Sequence, residues 1–498
     1  MSKPDGGADK MPLRDMDREQ MWLLPPSLDE LLPLDHPARF VAEFVDALGR
    51  EGWAELGVEI DGDPLGAPAY HPRALLCVWL YGFMTGVRSC RKLEAACRDQ
   101  IPYLWLTGWQ HPDHNTLWRF YKAHRQEMRS LFKRTVRTAV AMKLVDLAVQ
   151  AVDGTKMAAS ASVHRSYDAE RLAKLLDRVD RAIADLEAQN EGGEDASAVN
   201  LPEELADKEA LRERLRQAMD KLAGEEKSRR INLTDKDARL MKTGYGIAPA
   251  YNAQAMVSPV EQDGEPTGML ITAVDVVAVP NDNYQLAPMM ERAEEATGTK
   301  TPMTLADAGY FSGSDLADCE GRGQQVVMPE ARERFVRSPY HKDQFTYDEP
   351  SDSFLCPQGQ TLHFSGSRKD KNGAPMRKYH ASAAVCQQCP AYGVCTKAKG
   401  GRSLWIGPHD EVLRRHRAWM STDLAKETYR LRKQLVEPVF GITKEQMGGR
   451  RLLLRGLVNV AAEWNLLAVA FNLRTLWRIW RDGTLAPALD SPKPVPVP

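Results

Sequence analysis

The chain has 498 residues, 43% of them apolar and 27% charged, with a formal net charge of −2. That length is too great for one ordinary core and predicts two to four domains of a soluble, globular kind, while the lack of an apolar run of about 18 residues argues against a membrane span. A balance so near neutral excludes a uniformly basic nucleic-acid binder, so any electrostatic case for DNA has to be made region by region.

Residues 1–21 are polar, rich in Gly and Pro and without the apolar core of a signal peptide. They read as a disordered tail, as does the Pro-rich stretch 482–498, and both point to the cytoplasm. Residues 22–145 read as helical. Pro72 suits a first helical turn, and Leu75, Leu76, Trp79, Leu80 and Phe83 follow at helical spacing. A second helix follows Ser89. The chain turns near His111-Pro112-Asp113-His114, with Asn115 as a candidate cap for the next helix. The two histidines read as surface or capping residues and are assigned no metal. In that next helix Leu117, Phe120, Tyr121, Met128, Leu131, Phe132, Val136 and Val140 form an apolar side. Lys122, Arg125, Arg129, Lys133 and Arg137 recur at steps of three and four, offset only by Glu127. Like charges on one helix face repel, so phosphate contact competes with the plainer alternative of a solvated face.

An apolar run, Leu147 to Val152, then arrives at Asp153, and Gly154-Thr155 is expected to turn the chain before Lys156. Residues 168–228 read as a helical hairpin. Leu172, Leu175, Val179, Ile183 and Leu186 form one stripe, Leu211, Leu215, Met219 and Leu222 the other, with the turn around Gly192-Gly193 and Pro202. Its acidic outer face suits a structural or oligomerisation role better than DNA contact. Strands are expected at Tyr251–Val257, Met269–Val277, Pro302–Ala306 and Gln325–Met328, with helices at Asn283–Glu295 and Ser314–Glu320. Pro302 to Ala306 runs into a second acid in Asp307-Ala308-Gly309-Tyr310-Phe311. Three strands in a meander, then helix, strand, helix and strand, is the order of an α/β ribonuclease-H-like core, a mixed sheet flanked by helices. That core is expected over 146–330 and 404–481.

Residues 331–403 interrupt it and carry Cys356, Cys386, Cys389 and Cys395. Four thiols in one cytosolic insert favour structural Zn²⁺ over disulfides, although the first half supplies only one Cys, and an iron–sulfur cluster or a metal-free core are alternatives. Cys77, Cys90, Cys97 and Cys319 read as buried small hydrophobes. From Glu411 to Arg481 the chain reads as helical, with 14 Lys and Arg against 6 Asp and Glu. Glu437 lies there, followed by Pro438 and Gly441, which predict a kink or helix boundary. Arg450, Arg451 and Arg455 precede an apolar face running from Leu457 to Trp477.

Asp153-Gly154-Thr155-Lys156, Asp307-Ala308-Gly309-Tyr310-Phe311 and Tyr429-Arg430-Leu431-Arg432-Lys433-Gln434-Leu435-Val436-Glu437, with Lys444 beyond, together resemble the signatures of DDE transposases of bacterial insertion sequences. The resemblance spans about Leu23 to Arg478. The third motif departs from the usual spacing, because four residues separate Arg432 from Glu437 and three separate Lys433 from it, so the basic member is Arg432 or Lys433. The resemblance implies an N-terminal helical domain that binds terminal inverted repeats. It also implies a catalytic triad of Asp153, Asp307 and Glu437 holding two Mg²⁺ or Mn²⁺, a hard cation that suits carboxylate oxygens. Cleavage at the element ends and joining of the 3′-OH to target DNA would follow, with phosphate contacts from Tyr429, Arg432 or Lys433, and Lys444. Lys156 joins them unless it is a surface lysine after a turn; Arg450 and Arg451 are further DNA-contact candidates. The implied partners are double-stranded DNA and, because two ends are joined, a second copy of the chain, in a bacterial cytoplasm. The alternatives are a stand-alone nuclease of the same fold, which would cut without joining, and an inactive relative that binds without cutting. A zinc-dependent DNA-binding regulator would be indifferent to loss of Asp153, and a scaffold dimerised through the hairpin would show no metal-dependent activity.

Overall fold

A computed structural model describes residues 27–61, 69–190, 203–224, 230–330, 338–370 and 373–482. The tail expected at 1–21, residues 483–498 and the turn of the hairpin lie outside these. The described chain opens with helices α1 (Pro37–Asp46), α2 (Gly49–Glu55), α3 (Pro72–Thr85), α4 (Cys90–Asp99), α5 (Ile101–Thr107), α6 (His114–His124) and α7 (Arg129–Ala141). Their starts follow local chemistry. Pro72 occupies the first turn of α3, and Ser89 caps α4 by accepting the Lys92 N–H. Asp113, not Asn115, caps α6, accepting from Thr116 N at 2.6 Å. The single helix expected after Asn115 is two, α6 and α7, parted at Arg125–Met128. His111 and His114 hold local structure, pairing with the Cys97 carbonyl and with Glu94.

The main sheet contains β1 (Val149–Ala158), β4 (Arg239–Thr243), β5 (Gly246–Gln262), β6 (Glu265–Val277), β7 (Met303–Leu305) and β8 (Gln325–Val327). β5 pairs antiparallel with β1, β4 and β6, whereas β7 pairs parallel with β1 and with β8. The path β6-β5-β1-β7-β8 is therefore a meander continued by two parallel strands, with α10 (Leu286–Thr297) and α11 (Gly313–Gly321) in the crossovers. The mixed sheet and its helices accord with the ribonuclease-H-like core expected from the element order. One expectation is corrected: Gly154-Thr155 does not turn the chain. β1 runs on to Ala158 because the 17-residue β5 pairs it from Ala151 to Ala158.

Apolar residues cover both faces of this sheet. On one face the α1–α7 helices, Ala151, Met157, Tyr251 and the C-terminal helix α15 (Leu457–Arg481) share a single buried cluster that runs from Leu32 to Ile479. On the other, Val152, Met256 and Ala273 pack with Leu286 and Met290 of α10 and Leu316 of α11. Side chains alternate along a strand, so neighbours such as Ala151 and Val152 feed opposite cores. Each large apolar side chain so buried contributes roughly 1.5–3 kcal/mol. Between α7 and α15 the buried Asn472 bridges Thr135 and the Ile271 backbone. Arg88 and Glu463, both almost wholly buried, pair at 2.8 Å. The Arg88 guanidinium also donates to the Arg451 carbonyl, and Glu463 accepts from Leu453 and Leu454 N–H. Burial pulls the Arg88 pKa down and pushes that of Glu463 up, so the pair is held by its hydrogen bonds against a desolvation cost.

Two insertions leave the core. The hairpin α8 (Ala169–Asn190) and α9 (Glu203–Ala223) packs on itself through Leu172, Val179, Ile183, Leu215, Ala218 and Leu222, above a two-stranded ladder of β2 (Ser166–Tyr167) and β3 (Ile231–Asn232). The second insertion is an antiparallel sheet in the order β13-β12-β11-β10-β9. Its strands are β9 (Thr346–Asp348), β10 (Ser353–Leu355), β11 (Thr361–Lys369), β12 (Pro375–His380) and β13 (Ser403–Ile406), with the short α12 (Ala383–Gln387) before β13. Helices α13 (Asp410–Met420) and α14 (Asp423–Glu445) lead back to α15. Of the kink or helix boundary expected here, the boundary is not found: α14 continues through Pro438. Pro438 and Gln434, whose carbonyl the proline leaves without its helical partner, are both exposed, where water substitutes. Among the described residues no helix is long and apolar enough to cross a membrane.

Candidate active site

β7 accompanies β1 only from Val149 to Ala151. Asp153 lies just past the point where that parallel neighbour ends, and Asp307 lies two residues past the end of β7 itself. Both acids therefore stand at the carboxyl end of a parallel strand pair, where α/β sheets open a crevice. The Asp307 carboxylate accepts the Gly309 N–H at 2.7 Å, which winds Ala308–Tyr310 into a single 3₁₀ turn. Asp153 accepts the Gly154 N–H at 2.8 Å.

Helix α14 crosses above them. The buried Arg432 reaches Asp153 at 2.9 Å and Asp307 at 3.7 Å, so one guanidinium bridges both carboxylates. Burial pushes the Asp153 pKa up to about 6; Arg432 opposes the rise, and the like charges of Asp307 and Asp282 add to it. Tyr429, one turn earlier, is half-buried beside them, its hydroxyl pKa raised by burial. From the far end of α14 Lys444 donates to the Thr155 hydroxyl, and burial lowers its pKa against the pull of Asp153. Lys156 points to Asp282 at 3.4 Å.

Asp153, Asp307, Tyr429, Arg432, Lys444 and Lys156 thus share one neighbourhood. Lys433, one residue from Arg432, is exposed on another side of α14. Glu437 is also exposed, and it makes no hydrogen bond or ion pair among the described residues. Among those residues no three His, Cys, Asp or Glu side chains are gathered into one ligating cluster. The sequence reading did not find Asp282, which sits behind β1 in the loop between β6 and α10. Its only signal is the Pro280-Asn281-Asp282-Asn283 run, which reads as a loop or helix start.

The basic stripe is divided. Lys122, Arg129 and Arg137 are exposed. Lys133 pairs with Glu295 of α10, and Arg125 donates to Asn459 and the Lys122 carbonyl. The missing counter-charge comes from another element that spacing along α7 could not show. Arg450 pairs with Glu445 and lies over Tyr245, while Arg451 lines an open groove with Arg165 and Arg455.

In the second insertion Cys356, Cys386, Cys389 and Cys395 line one small cavity beneath Tyr340 and Arg402. The sulfurs of Cys356 and Cys386 accept the backbone N–H of Gln360 and Arg402 at 3.2 and 3.3 Å. The other cysteines lie elsewhere; Cys77, Cys97 and Cys319 are buried and Cys90 partly so, and burial lifts the Cys97 and Cys319 thiols to about 12.

Comparison with known families adds two matches. Residues 355–477 match a transposase DDE domain, covering the cysteine set, Arg432 and Glu437, and residues 26–123 match a transposase domain (DUF772), covering the N-terminal helices. Both matches are to transposase domains, and over these two stretches, which together make up under half of the chain, it is similar to the DDE transposases of insertion sequences. No curated protein matches it. The two matched stretches leave out Asp153 and Asp307, so for those acids the geometry stands on its own. The donor set suits a hard dication: two carboxylates near enough to share one guanidinium, one of them penalised for its charge. A transposase acts on DNA, and divalent ions are the general requirement of DDE domains.

Proposed function

We propose that this transposase binds the terminal inverted repeats of its element, cuts the DNA at the element ends and joins the freed 3′-OH to target DNA by in-line phosphoryl transfer. The observation that carries the reading is the pair formed by Asp153, in β1 just past its parallel pairing with β7, and Asp307, two residues past β7, bridged by Arg432 of α14. Asp153, Asp307 and Glu437 would hold two Mg²⁺ or Mn²⁺ ions, which supply activation of the attacking oxygen and stabilisation of the leaving one. Glu437 precedes Lys444 by seven residues, two helical turns, so both lie on one stripe of α14, and Lys444 already reaches Thr155 beside Asp153.

The remaining roles fall to the chain's own groups. Arg432 holds the two carboxylates together against their repulsion. Lys444, Lys156 and Tyr429 orient phosphate oxygens at the cut end. Arg450 and Arg451 contact the backbone further out, along the groove that Arg165 and Arg455 also line. Lys122, Arg125, Arg129, Lys133 and Arg137 contact the terminal repeat. Joining two ends calls for two copies of the chain in the DNA complex, working in a bacterial cytoplasm on nucleoid DNA.

We also infer a structural Zn²⁺ on Cys356, Cys386, Cys389 and Cys395. All four are sulfur donors around one cavity, and two of the sulfurs take backbone N–H bonds that stabilise the thiolate form. With four protein ligands the ion has no open position and serves folding alone.

The test is incubation of labelled DNA carrying the native element ends with Mg²⁺ or Mn²⁺, wild type beside Asp153→Ala. Nicking at the ends and a joined product, both lost in the variant, are expected. Nicking without joining would leave a nuclease. Specific binding without cutting would leave a DNA-binding regulator.

A further inference from the structure

Asp282 is nearly buried, outside both acid motifs, and three side chains converge on it. Its Oδ1 accepts from Asn252 Nδ2 at 2.6 Å and from Gln254 Nε2 at 2.8 Å, and Lys156 Nζ approaches at 3.4 Å. Asn252 and Gln254 are the cross-strand partners of Lys156 and Gly154, so Asp282 grips the ladder of β5 and β1 immediately beyond Asp153. Gln254 carries the grip onward. Its Oε1 accepts the Tyr310 hydroxyl, its backbone carbonyl takes the Trp464 indole N–H at 2.9 Å, and Tyr310 closes the 3₁₀ turn that presents Asp307. Orienting the Asn252 amide toward Asp282 leaves its buried Oδ1 with no partner, a cost accepted only where the other end is firmly held.

The same carboxylate explains the glycine of the first motif, whereas the glycine of the second makes room chiefly for Asp307 itself. By strand alternation Asp153 and Gly154 face opposite sides of the sheet, and Asp282 fills the side that Gly154 leaves open. A Cβ on Gly154 would collide with Gln254 and Asp282, and one on Gly309 would lie 2.9 Å from Asp307 Oδ1 and 3.4 Å from Asp282 Oδ2.

We propose that Asp282 is a positioning residue that locks the β1 acid and the β7 acid into one register from behind, through Gln254, Tyr310 and Lys156. It holds the spacing between Asp153 and Asp307 without entering their site. Both motifs reach it: Gly154 makes room for it, Lys156 connects to it directly and Tyr310 connects through Gln254.

The inference rests on the strand-transfer reading for its activity readout only, and two measurements separate the two. Asp282→Ala removes the acceptor; Asp282→Asn keeps the shape and one acceptor oxygen. In hydrogen exchange, Asp282→Ala speeds exchange of the Gly309 and Tyr310 amides and of 152–156, while Asp282→Asn stays near wild type. Unchanged exchange in Asp282→Ala overturns the lock, whether or not the protein cuts DNA. In the end-cleavage assay, Asp282→Ala lowers the rate about 10–100-fold with end binding unchanged, and Asp282→Asn restores most of it. Tyr310→Phe added to Asp282→Ala costs less than the two losses combined, because both break one network. Wild-type cleavage by Asp282→Ala would overturn the role. So would an Asp282→Asn variant as inactive as Ala with a raised metal requirement, which would make Asp282 a ligand. A wild type that binds ends but never cuts would sink the strand-transfer reading and leave the exchange result to decide the lock.

Discussion

The mixed sheet and the cysteine-bearing sheet of this chain hold their chemistry in opposite ways. The mixed sheet lies between two apolar clusters, one joining seven N-terminal helices to α15 and the other seating α10 and α11. Its carboxylates inherit their positions from strands fixed on both faces. The cysteine sheet has one small cluster, built on Phe345, Phe354, Leu362, Tyr379, Ala381 and Leu404, and leaves Phe364 and Leu355 exposed. A core of that size is too small to fix a loop-rich module by burial, and the sulfur ligation proposed above would substitute for it. A site placed by a thick core tolerates loss of its functional groups; a site that makes its own core does not.

The largest expected effect breaks the comparison at the mixed sheet. Asp153→Ala or Asp307→Ala lowers cleavage on the order of 10³-fold or more, yet thermal unfolding stays near that of wild type, because burial already penalises the Asp153 charge and the carboxylate that remains still partners Arg432. A variant that loses activity and also unfolds at lower temperature would mean the acids are structural. At the other sheet, the pair Cys386→Ser and Cys389→Ser is expected to lose one equivalent of zinc and to raise proteolysis within 338–406 about tenfold or more. The mixed sheet keeps its exchange protection. Metal-free wild-type protein with the same protease resistance as the loaded form would refute the zinc reading.

Next in size is the joint behind the mixed sheet. Arg88→Met leaves the buried Glu463 charge without its partner and is expected to cost about 3–5 kcal/mol, read as a lowered midpoint in urea. Arg88→Met with Glu463→Leu recovers part of the loss. A single variant within about 0.5 kcal/mol of wild type would show that the N-terminal helices are not fastened to α15 there.

The fold was legible where periodicity reports burial. The meander, the parallel strands and the hairpin all follow from alternation and from three- and four-residue steps, and the two aspartates followed from their places after apolar runs. Four features did not follow, each for a physical reason. Gly154-Thr155 reads as a turn locally, but pairing with β5 carries the strand through it. Pro438 reads as a kink or a helix boundary, but its exposed face lets α14 continue with no boundary there. Asp282 has no local signature because its role is defined by partners 28 and 30 residues away in sequence and by β1 beyond them. In the third motif spacing left Arg432 and Lys433 equivalent, whereas the rotation of α14 sends only Arg432 to the carboxylates.

The smallest effects concern the basic stripe of α6 and α7, where the ion pair to α10 makes a graded prediction. Arg129 and Arg137 are exposed, whereas Lys133 is engaged by Glu295. Arg129→Ala and Arg137→Ala should each weaken end binding and reduce the slope of log affinity against log salt by about 1. Lys133→Ala should do less, since DNA must first compete with Glu295 for the ammonium. The exposed pair itself is worth about 0–1 kcal/mol, so the difference between Lys133 and its neighbours is a few-fold in affinity. Glu295→Ala sharpens the point by freeing Lys133 and should tighten binding at low salt. If Lys133→Ala and Arg129→Ala lower the salt slope equally, the pair does not hold Lys133 in solution. If none of the three changes the slope, the stripe is a solvated face, and end recognition passes to the arginine groove beside β1.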